Sequence, residues 1–366
     1  MKIWIDAKNA SSQNAGIAKW SEFHLLQNSY EFNSNICLVY PTKSKYKPYS
    51  NLDLKRRKLF TFTKLPSKLS TLIYDLFIFR ISASINKPDL IFSPYYDVLM
   101  PKKIKTIITI HDLCYLELPQ LYSKLIRLYF LWIMKKNAMR ASLIITVSET
   151  SKKQITKYLH VPDSKIVVLP NQIDLDFKSY VPSDFEIDGF RSKFSNFQKL
   201  ILYTGGFENR KNIPMLLSAI NKLDIKGISV CLLVTGVETK HWSRTIKSLK
   251  LNRTLISFLG YLSNPQLKVA YKSSDVVIYP SLSEGFGRAC LEAIYCNTPL
   301  ICSDIPVFHE ISGKYSTYFD PNNLQSLMNA IQQTLEQASV REIDLTSQIS
   351  SSKELQGVME EVIHGS

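Results

Sequence analysis

Glu284 and Glu292 stand eight positions apart in SLSEGFGRACLEA, residues 281 to 293, on either side of Gly285 and Gly287. Glycines at a helix start let backbone N–H groups approach an anion, and a carboxylate beside an anion is repulsive. Acids in that position need a different partner, and hydroxyl groups supply it. At 1.5 Å rise per residue the two acids lie on the order of 8 Å apart along the helix axis, a span that suits a sugar nucleotide better than a single phosphate. On this reading the glycine-flanked N–H groups receive a pyrophosphate, Glu292 accepts hydrogen bonds from a ribose diol, and Glu284 faces the sugar.

A second group sits in TGGFENRKN, where Gly205 and Gly206 turn the chain and Arg210 and Lys211 precede a helix. The macrodipole disfavours cations at a helix start. Two of them there suit a diphosphate, Arg as a fork and Lys as a point charge, while the plain alternative is a solvated basic pair. His111 closes the apolar run KTIITIHD; a lone His at a strand end is as readily structural as functional, and Asp112 is read as capping the next turn. The DLD at 174 to 176 imitates a metal-binding pattern but falls in a connecting segment, so no metal ligand is assigned. The six cysteines form no C-x-x-C pair and sit in apolar segments, as expected of reduced, buried thiols.

The elements around these residues alternate. Apolar runs at 2 to 6, 35 to 41, 89 to 94, 105 to 112, 142 to 148 and 165 to 170 read as strands, with helices at 16 to 28, 67 to 86, 122 to 140 and 149 to 159 between them. Such continuous β-branched runs fit strands buried on both faces of a parallel sheet. Residues 174 to 197 lack a sustained period and read as a linker. The strand–helix pattern then restarts at KLILYTGG and ends with an amphipathic helix over 322 to 337, Asn297 serving as a left-handed helix cap on the way. The predicted organisation is an N-terminal domain 1–173, a linker 174–197, a C-terminal domain 198–350 and a C-terminal helix 351–366 that could return to the first domain. Each domain is α/β and doubly wound, with a central cleft between the carboxyl ends of the two sheets.

At 366 residues the chain is long for one core, and 45% apolar content supports ordered domains. No signal peptide and no clean apolar run of about 20 residues is apparent, so a chain that does not cross the bilayer is expected. The net charge of +14 is uneven. Residues 1 to 170 carry 26 Lys plus Arg against 11 Asp plus Glu, a net of +15, leaving the remainder at −1. Nine of those cations lie in residues 41 to 69, among them Lys55, Arg56, Arg57 and Lys58, interleaved with Tyr46, Tyr49, Phe60 and Phe62. This patch fits an anionic membrane surface, a nucleic acid or a solvated face, and composition alone does not choose.

Together, LYTGGFENRKN, SEGFGRACLEA and TIHDLCYLELPQLY resemble the retaining glycosyltransferases of family four, and the likeness extends to NAGIAKWSEF, ITVSETSKKQI and LPNQIDLD. The resemblance implies the GT-B fold and transfer of a hexose from a nucleotide-sugar donor with retained anomeric configuration and no metal or other cofactor. It places Glu284, His111, Arg210 and Lys211 in the catalytic centre. Glu292, Gly285, Phe286, Gly287, Gly205 and Gly206 fall on the donor, and Gly16 on the acceptor side. Departures are Ala15 beside Gly16, Arg288 where Leu commonly follows EGFG, and Asn297 where Gly is usual. The family's acceptor-binding half corresponds to the basic domain here, which tilts the 41 to 69 patch toward anionic lipid. The expectation is a cytoplasmic transferase, peripheral on the inner membrane face, using a mannose-type donor and a lipid-linked glycan acceptor. No nucleic-acid partner is expected; a GT-B epimerase and a basic nucleic-acid-binding protein are the rivals.

Overall fold

The computed structural model describes residues 2–8, 20, 21, 24, 36–41, 55–59, 67–336 and 355–364. Gly16 and Ala15 lie outside the described residues, as do Phe60, Phe62 and most of the predicted helix 16 to 28. The chain divides into two compact units, Met1–Gln172 with Ser350–Ser366, and Ile173–Ile349.

The first unit is built on seven parallel strands, β1 (Ile3–Asp6), β2 (Ile36–Pro41), β3 (Lys55–Leu59), β4 (Leu90–Ser93), β5 (Lys105–Thr109), β6 (Leu143–Thr146) and β7 (Ile166–Val168). They lie in the order β3-β2-β1-β4-β5-β6-β7, with Ile3 beside Ile36 on one flank and Leu90 on the other. Every residue of β1 and β4 is buried, which is why these strands read as unbroken apolar runs. Lys55, Arg56, Arg57 and Lys58 show no strand pattern in the sequence, yet their backbone forms β3, which among the described residues is an edge strand paired with β2. Basic residues suit an edge, where they discourage pairing with another chain.

Residues 67 to 86 form one helical run, α-helical over Ser67–Ile73, π-helical over Tyr74–Ile78 and α-helical again over Phe79–Asn86. The π segment inserts one residue and turns both Tyr74 and Asp75 into the interior. Helix Lys124–Arg140 is fixed by its buried Asn137, which donates to the carbonyls of Tyr96 (2.7 Å) and Val98 (2.8 Å) and accepts from the Met100 amide (2.9 Å). The loop after β4 is thereby held without secondary structure. Helix Leu355–His364 belongs to this unit; Lys105 Nζ donates to its carbonyls at Val362 and Ile363, a cation on a helix C-terminus.

The second unit repeats the plan with six parallel strands, β8 (Lys199–Tyr203), β9 (Val230–Val234), β10 (Ile256–Phe258), β11 (Val276–Tyr279), β12 (Leu300–Ser303) and β13 (Ser316–Phe319), in the order β10-β9-β8-β11-β12-β13. Residues 174 to 197, expected to be an irregular linker, instead carry helices Leu175–Ser179 and Asp184–Ser192. The second starts on a capping box between Ser183 and Glu186, too short a pattern to create an apolar period. The first is fastened from outside: Lys268 Nζ donates to the carbonyls of Phe177 (2.9 Å), Lys178 (3.1 Å) and Tyr180. In both sheets the order reverses at one point, β1/β4 and β8/β11, where successive crossovers diverge and leave a crevice at the carboxyl ends of the strands.

Candidate active site

At the β8/β11 reversal the two loops singled out in the sequence come together. After β8, Gly205 is required sterically, since a Cβ there would lie 2.6 Å from the Tyr203 hydroxyl, which itself donates to the Gly206 carbonyl. A short 3-10 turn, Asn209–Lys211, and left-handed Asn212 (φ 53°) then lead into helix Ile213–Ile225. The loop after β11 is stitched to this turn by the Leu282 amide, which donates to the Arg210 carbonyl at 2.8 Å.

Across that seam Arg210 Nη1 contacts Glu284 Oε2 at 2.6 Å, Lys211 Nζ is ion-paired with Oε1, and the Ser281 hydroxyl donates to Oε1 at 2.8 Å. Arg210 also reaches Glu208 (2.8 Å) and the Ser283 carbonyl (3.2 Å). Glu284 is buried. Burial alone would raise its carboxyl, but the charges of Arg210 and then Lys211 outweigh that and bring it down to about 2. The carboxylate is therefore ionised, with its lone pairs committed to three donors, and with exposed Glu208 on Arg210 the two cations are matched by two carboxylates.

Gly287 opens helix Arg288–Tyr295 with φ 95° and no side-chain cap. A Cβ there would meet Phe308 at 2.7 Å, so both backbone and packing demand glycine. No side chain caps the helix start, where the Cys290 amide donates to the Gly287 carbonyl at 2.8 Å; a helix N-terminus of this kind is the arrangement that binds phosphate elsewhere. Phe286 is buried beside it.

Glu292 lies in the second turn of this helix. Arg288 Nε donates to its Oε1 (3.0 Å) and the Tyr271 hydroxyl to its Oε2 (3.0 Å), while Arg288 Nη2 pairs with Asp174 at 2.7 Å. Tyr271 in turn lies 2.9 Å from the Thr204 hydroxyl, which also meets Tyr279. Burial pushes both phenols well above their usual range, so they stay neutral hydrogen-bond donors. Tyr271, Tyr279, Thr204 and Ser281 carry no sequence signature, and Asp174, which stands out only as part of the DLD pattern, pairs with Arg288. Only the S-x-x-E spacing of Ser281 and Glu284 offers a local signal, while the others arrive from distant elements. Past the helix, Asn297 takes the left-handed conformation (φ 54°) expected of it.

His111 belongs to the first unit, two residues beyond β5 and buried. Its Nε2 lies 2.9 Å from the Pro94 carbonyl, which fixes the proton on that nitrogen, and its ring meets Trp20 edge-on at 5.1 Å. Burial lowers its pKa and the Pro94 carbonyl offsets this only in part, leaving a neutral imidazole. Asp112 accepts from the Cys114 amide at 3.2 Å, the turn cap its position suggested. At the β1/β4 reversal of the same unit, Lys8 pairs with Asp75 (2.6 Å) and Asp97 (2.5 Å), and its amide donates to Asp6 (3.2 Å). Burial pushes the Asp6 carboxyl up to about 6 and that of Asp75 to about 7 despite the Lys8 charge. All six cysteines are free and five are buried.

Two doubly wound units, the second with a cation-lined crevice at its reversal point, define the GT-B class of nucleotide-sugar enzymes. Residues 36–177 match the family model described as Glycosyltransferase Family 4 and residues 184–346 that of glycosyl transferases group 1; the chain belongs to these glycosyltransferases. It is 28% identical over 257 residues to O-antigen chain mannosyltransferase B of Escherichia coli, spanning 68% of this chain and 66% of that protein. It is 27% identical over 276 residues to O-antigen chain mannosyltransferase RfbU of Salmonella typhimurium, spanning 74% and 72%. Among solved structures it shares its fold with WaaG, a glycosyltransferase involved in lipopolysaccharide biosynthesis (TM-score 0.72, 14% identity, all of both chains). Anabaena HepE in complex with UDP and glucose also has this fold (TM-score 0.68, 18% identity, 92% and 90% of the two chains).

Proposed function

We propose that this protein is a retaining hexosyltransferase that carries a hexose, mannose by preference, from a nucleotide-sugar donor to a lipid-linked glycan in surface polysaccharide or lipopolysaccharide synthesis. The observation that carries the reading is the seam of Arg210, Lys211 and Glu284 against an uncapped helix start. A nucleoside diphosphate entering there competes with Glu284 for both cations and meets the helix N–H groups. The Glu284 oxygens are then released toward sugar hydroxyls, and Glu292, oriented by Arg288 and Tyr271, accepts from the ribose. Neutral His111 is assigned a hydrogen-bonding role toward substrate. As the glycosidic bond breaks, charge accumulates on the diphosphate, and Arg210, Lys211 and the helix start stabilise it. That assigns the leaving-group charge to side chains, so turnover is expected to survive a chelator.

With its oxygens on sugar hydroxyls, Glu284 is not placed in line as a nucleophile, which favours a front-face route over a covalent intermediate. In that route the departing phosphate oxygen takes the acceptor's proton. The names of the two enterobacterial relatives support the mannose and glycan assignments, and the basic first unit supports an anionic membrane as the place of work. A thermal-shift screen against GDP, UDP, ADP and dTDP sugars, followed by transfer assays on lipid-linked acceptors, tests the reading. One nucleotide sugar should stabilise the protein and lose its sugar with retained configuration. Stabilisation by none, or an inverted product, would sink it.

A further inference from the structure

Ser93, the last residue of β4, is fully buried between β1 and β5: in register it lies beside Ile108 of β5, and one step beyond the paired Ile5 and Phe92 it faces Asp6 of β1. Its hydroxyl lies 2.9 Å from Asp6 Oδ2 and 2.7 Å from the Tyr95 carbonyl. Both partners are acceptors, and one hydroxyl carries one proton, so it cannot donate to both at once. Asp6 decides which receives it. An ionised Asp6 accepts from Ser93 and leaves the Tyr95 carbonyl without that donor. The Lys8 amide occupies Asp6 Oδ1 at 3.2 Å, so a proton added to this carboxylate sits on Oδ2. Asp6 then donates to Ser93 Oγ, and the hydroxyl proton turns to Tyr95.

The turn that Ser93 closes is the one that holds His111. The Pro94 carbonyl accepts from His111 Nε2 at 2.9 Å, and the Tyr95 ring stacks on the imidazole with centroids 6.4 Å apart and planes at 28°. The backbone of His111 is pinned independently, by the Ser151 hydroxyl donating to its carbonyl at 3.2 Å. The adjustable contact is therefore the one from the turn. With the proton on Nε2, Nδ1 keeps its lone pair as an acceptor for a substrate hydroxyl, and a displaced Pro94 carbonyl relaxes that choice of tautomer. Around Asp6 stand Lys8, Asp97, and from the π segment Tyr74 and Asp75, with Tyr129 of helix Lys124–Arg140 bordering the group; His111 is faced by Asp112 and His24. Burial and then the Asp97 charge bring the Asp6 titration up to about 6, within the working range of a protein.

We propose that Ser93 is a positioning residue for His111: it passes the protonation state of Asp6 to the Ser93–Tyr95 turn, and so sets how firmly the Pro94 carbonyl holds the imidazole in its Nε2–H tautomer. Its bearing on catalysis rests on the substrate contact assigned to His111 above.

Nitrogen NMR of the full-length protein, its histidines labelled with heavy nitrogen, tests this directly; the His111 signals are those missing in His111→Gln among the six histidines. In the parent, His111 should show the Nε2–H tautomer, with ring shifts that pass through an inflection between about pH 5 and 7 as Asp6 titrates. Ser93→Ala should abolish the inflection, turn the tautomer into a mixture and lower kcat several-fold, with donor affinity unchanged. Asp6→Asn imitates the protonated carboxyl, its amide oxygen on the Lys8 amide and its NH₂ donating to Ser93. It should abolish the inflection while keeping the Nε2–H tautomer and most of the turnover, whereas Asp75→Asn should leave the inflection in place. An inflection that survives in Ser93→Ala means that the Asp6 charge reaches His111 through space, and an unaltered tautomer there means that the turn holds without Ser93; either overturns the proposal. Should Ser93→Ala not fold, an inflection that persists in Asp6→Asn overturns it. A tautomer change with kcat unmoved sinks the substrate role of His111 and leaves the coupling standing.

Discussion

Where the strand order reverses in the first unit, one lysine sits among three carboxylates; where it reverses in the second, two cations close on one buried carboxylate, Arg210 also reaching the exposed Glu208. The topology of the two places is the same, and each offers a crevice at the carboxyl ends of parallel strands. Charge makes them different objects. The first, with Lys8 outnumbered by Asp6, Asp75 and Asp97, repels phosphate, and burial responds by raising the carboxyls of Asp6 and Asp75. The second, with Arg210 and Lys211 matched by buried Glu284 and exposed Glu208, is balanced and holds its buried carboxylate low. A doubly wound fold thus supplies two candidate crevices, and the local charge balance, net acidic in the first and even in the second, decides which can receive a diphosphate.

The harshest way to break this contrast is to remove both cations of the second crevice. Arg210→Ala with Lys211→Ala should lower kcat by about 10²- to 10³-fold, more than it weakens donor binding, because the lost contacts strengthen as phosphate charge develops. The same variant leaves Glu284 buried and unpaired, which should cost roughly 3–5 kcal/mol of stability. Adding Glu284→Gln should restore much of the melting temperature and none of the turnover. Equal losses in kcat and donor affinity would recast the pair as ground-state ligands only.

A smaller effect follows from Gly287, which shapes the second crevice through backbone alone. Gly287→Ala puts a Cβ at positive φ against Phe308 and should destabilise the protein by about 3 kcal/mol, read by thermal or denaturant unfolding. An unchanged melting temperature would mean that the helix start can move, and that its N–H groups are not held ready for an anion.

The two crevices also differ in how far they can be read from the sequence. The second announces itself because its chemistry is local: Arg210 and Lys211 are adjacent, Glu284 and Glu292 flank one glycine pair, and each group directly follows an apolar strand. The cluster of the first is assembled from Asp6 at the end of β1, Lys8 beyond it, Asp97 after β4, and Asp75 from a π segment. No window of sequence contains them, and the π insertion that turns Asp75 inward has no periodic signature. The same reason hides Tyr271 and the pairing of Asp174, which reach Glu292 and Arg288 from elements remote in sequence. Edge strand β3 escaped because an edge tolerates KRRKL, which carries no apolar alternation. The doubly wound plan was legible throughout, since strands buried on both faces cannot avoid being apolar runs.

Glu292→Ala sharpens the donor assignment within the second crevice. Loss of the carboxylate should weaken nucleotide-sugar binding by about 1.5–3 kcal/mol, seen by calorimetry, as hydrogen bonds to a charged acceptor disappear. Free phosphate or diphosphate should bind the variant nearly as well as the parent protein. A deficit shared equally by the nucleoside-free anions would show that Glu292 acts by holding Arg288 rather than by meeting the ribose.

The gentlest test sets the two crevices against each other by pH. Glu284 has a folded pKa below its ordinary value, so its contribution to stability is complete above about 4.5 and is lost as pH falls toward 2. Asp6 and Asp75 run the other way. Their folded values, about 6 and about 7, stand above the ordinary 3.8, so the stability they lend is complete below 3.8 and drains away as pH rises through 6 and 7. Stability of the first unit should therefore decline by a few kcal/mol between pH 5 and 8, read as a fall in melting temperature. Asp75→Asn removes one of the two titrating groups while keeping a polar side chain beside Lys8, and should flatten that decline without altering the acid limb set by Glu284. Melting temperatures of the parent and the variant across pH 3 to 8 decide the matter. A decline of the same slope in Asp75→Asn would mean that the first crevice carries its excess charge without strain, and the electrostatic distinction between the two would then rest on the second alone.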